Sequence, residues 1–373
     1  MDFEPPPERR MLAETLGRYL DTRYPFDARN RAAYGETGHD PGQWSALTEL
    51  GAVAALFDEA AGGLGGSGFD IAVVFEAVGR HLVVEPLLGA LMAGRALAAA
   101  GRHDELERII SGEAIAAFAH EEADGDAFDA PSTRAAQAAD GSWTLQGAKA
   151  IVPHAEAAPL FVVTAATAAG LAAFLVPDGT PGLSVRGYPN IDGGRSGEVT
   201  LDDARLPANA LLGSDGGGAE IAGAATDAGL LALTAEALGL MEAARDATLA
   251  HLRTRTQFGA PIGRFQALQH RMVTVALEIE QARSAVINAA DAYDGGDAHA
   301  RALALSAAKH TAGRVGRLVA EEAVQLHGGM GMTWEMPVSH LAKRLTMIDH
   351  QLGDEDEHLQ RYIALSAGSQ IDR

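Results

Sequence analysis

The chain is predicted to be an α+β protein in which a strand-rich domain is set between two helical ones. The prediction rests on helical and strand-like patterns that fall in three successive blocks instead of alternating. Residues 1–112 are rich in Ala and Leu, with Leu12, Leu16, Tyr19 and Leu20 at helical spacing and breaks at Pro41-Gly42, Gly62–Gly68 and Pro86. Residues 113–213 change to short apolar runs bounded by turn signals. These are Ala114–Ala119, Trp143–Leu145, Leu160–Ala165, Ala172–Val176 and Glu198–Leu201, with Asp140-Gly141 and Asp178-Gly179 as turns. Val, Thr and Phe gather here, as a half-buried pleated surface requires. Residues 214–373 return to long helices, one of them over 230–252 through Leu230, Leu233, Leu238, Met241 and Ala244, and another from Phe265 to about Ala290.

Composition narrows the chemistry. A chain of 373 residues that is 47% apolar can bury a large core. With no cysteine, disulfides, thiol catalysis and iron–sulfur or Cys–zinc sites are excluded. A net charge of −21 disfavours nucleic acid and anionic membrane as partners, so an anionic cofactor needs a local cationic patch. The N-terminal residues lack a signal-peptide pattern, and no uninterrupted apolar run approaches the ~20 residues of a membrane span. A cytoplasmic location is expected. The 13 histidines contain no HExxH and no tight carboxylate cluster, so no metal site is expected.

Gly63-Leu64-Gly65-Gly66-Ser67-Gly68 formally matches a dinucleotide fingerprint. That fingerprint needs a preceding strand and a βαβ unit, and here the glycines lie between helical stretches, which predicts a connecting loop. Arg255-Thr256-Gln257-Phe258-Gly259 through Ile262, Phe265 and Gln266 joins two helices, with an arginine suited to a pyrophosphate by charge-assisted hydrogen bonds or to a solvated turn. Gln325-Leu326-His327-Gly328-Gly329 places two glycines after a helix, where backbone can approach a ligand or cap the helix.

Taken together and in this order, those two segments resemble the acyl-CoA dehydrogenase family. The likeness extends through Gly62-Gly63-Leu64-Gly65 … Glu76-Ala77-Val78-Gly79-Arg80 and Gly147-Ala148-Lys149 … Phe174-Leu175-Val176-Pro177 to Gly353-Asp354 … His358-Leu359. Within the family the chain is most similar to the small subunit of pimeloyl-CoA-type dehydrogenases. The resemblance implies an N-terminal helical domain, a central β-barrel or sandwich and a C-terminal four-helix bundle. It also implies FAD, an acyl-CoA substrate, an electron-transfer flavoprotein as electron acceptor, and a homo-oligomer or a hetero-oligomer with a larger subunit. By position it assigns Arg255, Gln257, Phe258, Ile262, Phe265, Gln266, Gln325, Gly328 and Gly329 to FAD held across a subunit interface. Ile151, Val152, Pro153 and Asp356 are further cofactor positions, and Asp227 and Leu233 substrate positions.

Several positions depart from the family pattern. Where its flavin-facing strand often reads Trp-Ile-Thr, this chain has Ile151-Val152-Pro153; where another strand reads Thr-Glu-Pro, it has His120-Glu121-Glu122; and an expected arginine is Leu230. The catalytic Tyr-Glu-Gly-Thr segment aligns with Gly353-Asp354-Glu355-Asp356, which makes Asp354 the expected base. Desaturation needs a positioned carboxylate to take the α-proton, and aspartate is shorter than glutamate by one methylene, about 1.5 Å. The alternative family slot for the base is Gly229, leaving Glu236, two turns further along the helix, as the runner-up or as a buried structural glutamate. A non-catalytic partner subunit and an acyl-CoA oxidase are the competing readings.

Overall fold

The computed structural model describes residues 6–125 and 130–371. Six helices come first: α1 (Pro7–Arg23), α2 (Phe26–Ala33), α3 (Pro41–Glu49), α4 (Gly68–His81), α5 (Leu87–Ala99) and α6 (His103–Ile110). Their starts carry recognisable caps. Proline opens α1, Asp40 accepts hydrogen bonds from the Gly42 and Gln43 amides at α3, and Ser67 and Asp70 form a reciprocal capping box on α4. The glycine-rich segment ahead of α4 is the predicted loop. Arg95 Nη2 pins it by donating to the carbonyls of Leu56 at 2.7 Å and Gly66 at 2.5 Å, and a Cβ at Gly63 would collide with the Phe57 carbonyl. Its glycines are needed for packing backbone against backbone.

Eight strands follow: β1 (Ala116–Ala119), β2 (Arg134–Gln137), β3 (Trp143–Pro153), β4 (Leu160–Thr167), β5 (Gly170–Pro177), β6 (Leu183–Pro189), β7 (Arg195–Leu206) and β8 (Leu211–Leu212). They form one sheet in the order β6-β7-β3-β2-β4-β5-β8, with β1 parallel to β4. Trp143, Leu145, Phe161, Val163, Phe174, Val176, Val199 and Leu201 form its core, and the Trp143 and Phe174 rings meet edge to face at 5.1 Å. The apolar runs of the sequence predict five of these strands and miss three. β2 is Arg-Ala-Ala-Gln with a single buried residue, β6 is an edge strand with no buried residue, and β8 has two residues. β2 and β8 carry no periodic apolar signal, and β6 offers only Leu183 and Val185 in alternation, both partly buried against the sheet core. Conversely, β3 and β7 run well past their predicted lengths, with bulges between Leu145/Gly147 and Lys149/Val152.

The remainder is helical apart from one small hairpin: α7 (Gly218–Thr254), β9 (Thr256–Gln257), β10 (Ala260–Pro261), α8 (Gln266–Asp294), α9 (Ala298–His327), α10 (Pro337–His350) and α11 (Glu355–Ile371). The expected C-terminal helical domain thus consists, among the described residues, of three long helices and two shorter ones. Among the described residues α7 is the one helix long and apolar enough to cross a membrane, and 78% of its apolar window is buried within the protein. The chain divides into two compact units: residues up to Arg29 with Ser67–Val83 and everything from Leu230, and Asn30–Gly66 with Val84–Gly229. In the first unit α4 and α7 cross at two glycines. A Cβ at Gly79 would strike the Glu236 carbonyl, and one at Gly239 the Glu76 carbonyl, so the crossing requires both.

Candidate cofactor and catalytic site

Arg255 to Phe265 forms a tight projection between α7 and α8. Gln257 pairs with Ala260 across a two-residue turn in which Phe258 and Gly259 both have positive φ, 53° and 78°. A two-residue turn with positive φ at both positions is normally filled by Asn, Asp or Gly. Phe258 sits there at local conformational cost, and its side chain is 90% exposed. An aromatic ring held in solvent by a strained backbone is the kind of outlier that accompanies a binding role. Phe265 stands beside it, ring centroids 6.0 Å apart and nearly perpendicular. The Arg255, Gln257 and Gln266 side chains are exposed and Ile262 is half-buried, while the Arg255 carbonyl accepts from the Ile262 amide at 2.9 Å and closes the loop.

The second segment lies at the end of α9. Gly328 has φ 64°, and neither it nor Gly329 has any atom within 4 Å of where a Cβ would be, so their backbone is bare. An open groove of about 670 Å³ is lined here by Ala320, Val324, Gln325, Gly328, Gly329 and Met332. The two segments are joined by a stack of His251, one turn before Arg255, on His327, with ring centroids 4.5 Å apart. Burial lowers the His251 pKa, and the neighbouring His327 and Arg255 lower it further. The stack thus ties the helix that leads into the first segment to the end of the helix that carries the second.

In the β-domain, Ile151 falls at the second β3 bulge with φ 54° and is 42% exposed, while Val152 turns into the sheet core and Pro153 is half-buried. A β-branched residue at positive φ is a genuine outlier, and the bulge is what presents Ile151 to solvent. The same strand carries Lys149 into a polar cluster. Lys149 Nζ donates to Glu122 Oε1 at 2.7 Å and to the His120 carbonyl at 3.0 Å, and His120 Nδ1 lies 2.8 Å from Thr164 Oγ1. Burial would raise the Glu122 pKa, but hydrogen bonds from Lys149, Ser132 and Thr133 outweigh it and hold the group at about 2. Burial, helped by the Lys149 charge, pushes His120 down to about 4.

Asp354 is the N-cap of α11. Its Oδ1 accepts from the amides of Asp356 and Glu357, both at 2.9 Å, and its own amide donates to Glu357 Oε2 at 2.8 Å, a closed capping box. Asp356 is exposed at the first turn of that helix. Glu236 is 3% exposed and held by both prongs of Arg344, so its carboxylate is committed to an ion pair. Arg344 lies 108 residues away, and no sequence signal links the two. Leu230 and Leu233 are fully buried, and Asp227 is half-buried on α7. Sequence reasoning also missed Lys309, which is fully buried on α9. Its signal was available: it interrupts an otherwise apolar helical stripe through Leu305, Ala308, Ala312 and Val315.

Comparison with known proteins agrees with this architecture. Residues 6–114, 116–204 and 216–360 match the acyl-CoA dehydrogenase N-terminal, middle and C-terminal domains. The chain is 30% identical to acyl-CoA dehydrogenase IpdE2 of Mycolicibacterium smegmatis over 95% of its own length and 97% of that protein. It belongs to the acyl-CoA dehydrogenase family. Among solved structures it resembles a chain of the ChsE4–ChsE5 complex from Mycobacterium tuberculosis, at 26% identity over 98% of this chain and 99% of that one, with a TM-score of 0.89. Butyryl-CoA dehydrogenase from Megasphaera elsdenii matches over the whole of both chains at 25% identity, also with a TM-score of 0.89. The family fold of helical, β and helical domains and its oxidoreductase class thus apply to this protein. The matches support the family and not, by themselves, the small-subunit subtype expected from the sequence.

Proposed function

We propose that the protein is an FAD-dependent acyl-CoA dehydrogenase that desaturates an acyl thioester between its α and β carbons and passes the electrons to an electron-transfer flavoprotein. The reading is carried by two segments whose helices meet at the His251–His327 stack, one bearing Arg255 and the exposed Phe258, the other the bare Gly328-Gly329 backbone and its groove. These residues fit an adenine dinucleotide. Arg255 supplies positive charge on an otherwise acidic protein, the glycines admit close approach of phosphate or ribose, and Phe258 offers a stacking surface. Bound FAD would supply the hydride acceptor, chemistry that no side chain provides. Because both segments lie on one chain and face solvent, a neighbouring subunit, identical or larger, would complete each site. Asp354 is the proposed base, taking the α-proton on Oδ2 while Oδ1 caps α11. Leu233 and Asp227 on α7 are assigned to the substrate side.

One observation favours a second reading. Asp354 Oδ1 is engaged in a cap, Glu236 is clamped by Arg344 and position 229 is glycine, so each of the three positions weighed for the base is committed to a structural contact or lacks a carboxylate. A subunit that completes the FAD site of a larger homologue without doing chemistry itself would show this pattern. The flavin spectrum of the purified protein, followed by anaerobic bleaching with butyryl-, octanoyl-, branched, aromatic and steroid-side-chain CoA thioesters, separates the two. Bleaching of the protein alone supports dehydrogenation. A flavin that no thioester bleaches until a larger homologue is added supports the partner reading. Rapid reoxidation of bleached protein by oxygen would make it an oxidase.

A further inference from the structure

The turn between α10 and α11 is held in an unusual way. Over seven residues, from Asp349 to Glu355, four main-chain carbonyls accept hydrogen bonds from buried or half-buried side chains. Lys309 Nζ donates to the Asp349 carbonyl at 2.8 Å and to the Gly353 carbonyl. His310 Nδ1 donates to the Glu355 carbonyl at 2.9 Å, and His358 Nε2 to the Leu352 carbonyl at 2.8 Å. A carbonyl only accepts, so each of these ring nitrogens carries its proton. Lys309 and His358 are both 0% exposed. An ammonium group taken wholly out of water is costly, and this one sits at the carbonyl end of α10, where the helix dipole is negative. Burial also drives His358 down to about 3, which keeps it a neutral donor.

The same face of α9 makes room for the turn. Four residues after Lys309, Gly313 has no side chain where a Cβ would strike the Asp349 carboxylate and the Glu355 side chain, and Arg317 Nη2 pairs with Glu355 Oε1 at 2.8 Å. Leu352 and Gly353 have φ of 56° and 90°, so the backbone immediately before Asp354 is fixed in a conformation that leucine seldom adopts. None of this network is required to cap α11, which Asp354 and Glu357 do by themselves.

We infer that Lys309, His310 and His358 are positioning residues for Asp354, gripping the backbone on both sides of it so that an aspartate, shorter than the glutamate usual in the family, is held at a reactive distance from the substrate α-carbon. The inference rests on the reading that Asp354 is the base. Backbone placement is a sensible means of compensation, because about 1 Å of misplacement costs roughly 100-fold in rate.

The test compares FAD-loaded parent protein with Asp354→Asn, His310→Ala, His310→Asn, His358→Ala and His358→Gln, using whichever CoA thioester bleaches the parent fastest. Asn and Gln replace the donating nitrogens of His310 and His358 respectively. The alanine variants are expected to retain FAD and thioester affinity but to bleach on the order of 100-fold more slowly at saturation. The amide variants should recover to within a few-fold of the parent. A purely structural role would not give this separation of rate from affinity or the rescue. If Asp354→Asn is silent while both alanine variants bleach at the parental rate, the positioning role is wrong and the base assignment stands. If Asp354→Asn bleaches normally, the base assignment itself is wrong and the positioning role falls with it. Should His358→Ala fail to fold, the His310 pair, on a half-buried position, decides by itself.

Discussion

Arg344 grips Glu236 with two nitrogens, Nε at 2.6 Å from one carboxylate oxygen and Nη2 at 2.7 Å from the other. The pair ties α10 to α7 inside the helical unit, and Arg344 Nη1 extends it to Gln351 at 3.1 Å, close to the turn that carries Asp354. A glutamate held this way is poorly suited to accept a substrate proton, since neutralising it removes the charge that both prongs of the half-buried guanidinium hold.

Glu236→Ala should therefore act on stability more than on chemistry. Removing one partner of a buried, bidentate pair costs about 3–5 kcal/mol. Urea denaturation of the variant checks this, and a loss below about 1 kcal/mol, the range of exposed pairs, would show that the pair contributes little. Anaerobic bleaching by Glu236→Gln at the parental rate is expected as well, and its absence would move the base from Asp354 to Glu236.

Acid should destabilise the fold in two stages. His120, with a pKa of about 4, and His358, at about 3, bind protons more weakly in the folded chain than at their ordinary value of 6.5. The unfolded state binds more protons in that window, so stability is full above pH 6.5 and falls as pH drops toward 4 and then 3. Glu122, held at about 2 against an ordinary 4.5, adds a loss that begins below 4.5 and continues toward 2. The melting temperature should decline steadily from about pH 7 to about pH 5, and His120→Asn should flatten that decline. A melting temperature that rises on acidification through this range would contradict the assignment.

The α4/α7 crossing predicts opposite outcomes for glycine replacements of the same kind. At Gly79 or Gly239 alanine would drive a Cβ into a backbone carbonyl of the facing helix, a forced separation worth about 1–3 kcal/mol of lost stability. At Gly17 in α1 nothing lies within 4 Å, and alanine should stabilise by about 0.5–1 kcal/mol. Equal effects at the three positions in chemical denaturation would mean that the close crossing is not what the glycines serve.

Arg255→Ala should weaken FAD without unfolding the protein, because the side chain is exposed. Removing one charge-assisted hydrogen bond to the pyrophosphate costs about 1.5–3 kcal/mol, or roughly ten- to hundredfold in affinity. Flavin retained through dialysis as tightly as in the parent would remove Arg255 from the site.

The sequence was a good guide wherever one residue type has one local consequence. Pro41 and Pro86 mark breaks between helices, strong Val- and Phe-containing runs form β4 and β5, and the glycines at 62–68 form a loop. The segment at 255–266 and the glycines at 328–329 stand out in the sequence because their residue types are distinctive in themselves. Weak strands such as β2 and β6 were not, since their pairing partners hold them and their own periodicity is slight.

By itself, then, the sequence determined the order of helical, strand and helical blocks, the family, and the two motifs to which a cofactor is assigned. Each is encoded by local pattern or by a contiguous motif. Only the tertiary structure decided that His251 stacks on His327 and so links the helices that bear two motifs about seventy residues apart, that Glu236 belongs to Arg344, and that Lys309 and His358 grip the turn before α11. Those partners are separated widely along the chain or meet through main-chain carbonyls. A carbonyl is the same at every residue, so nothing in the sequence marks which ones a buried side chain will hold.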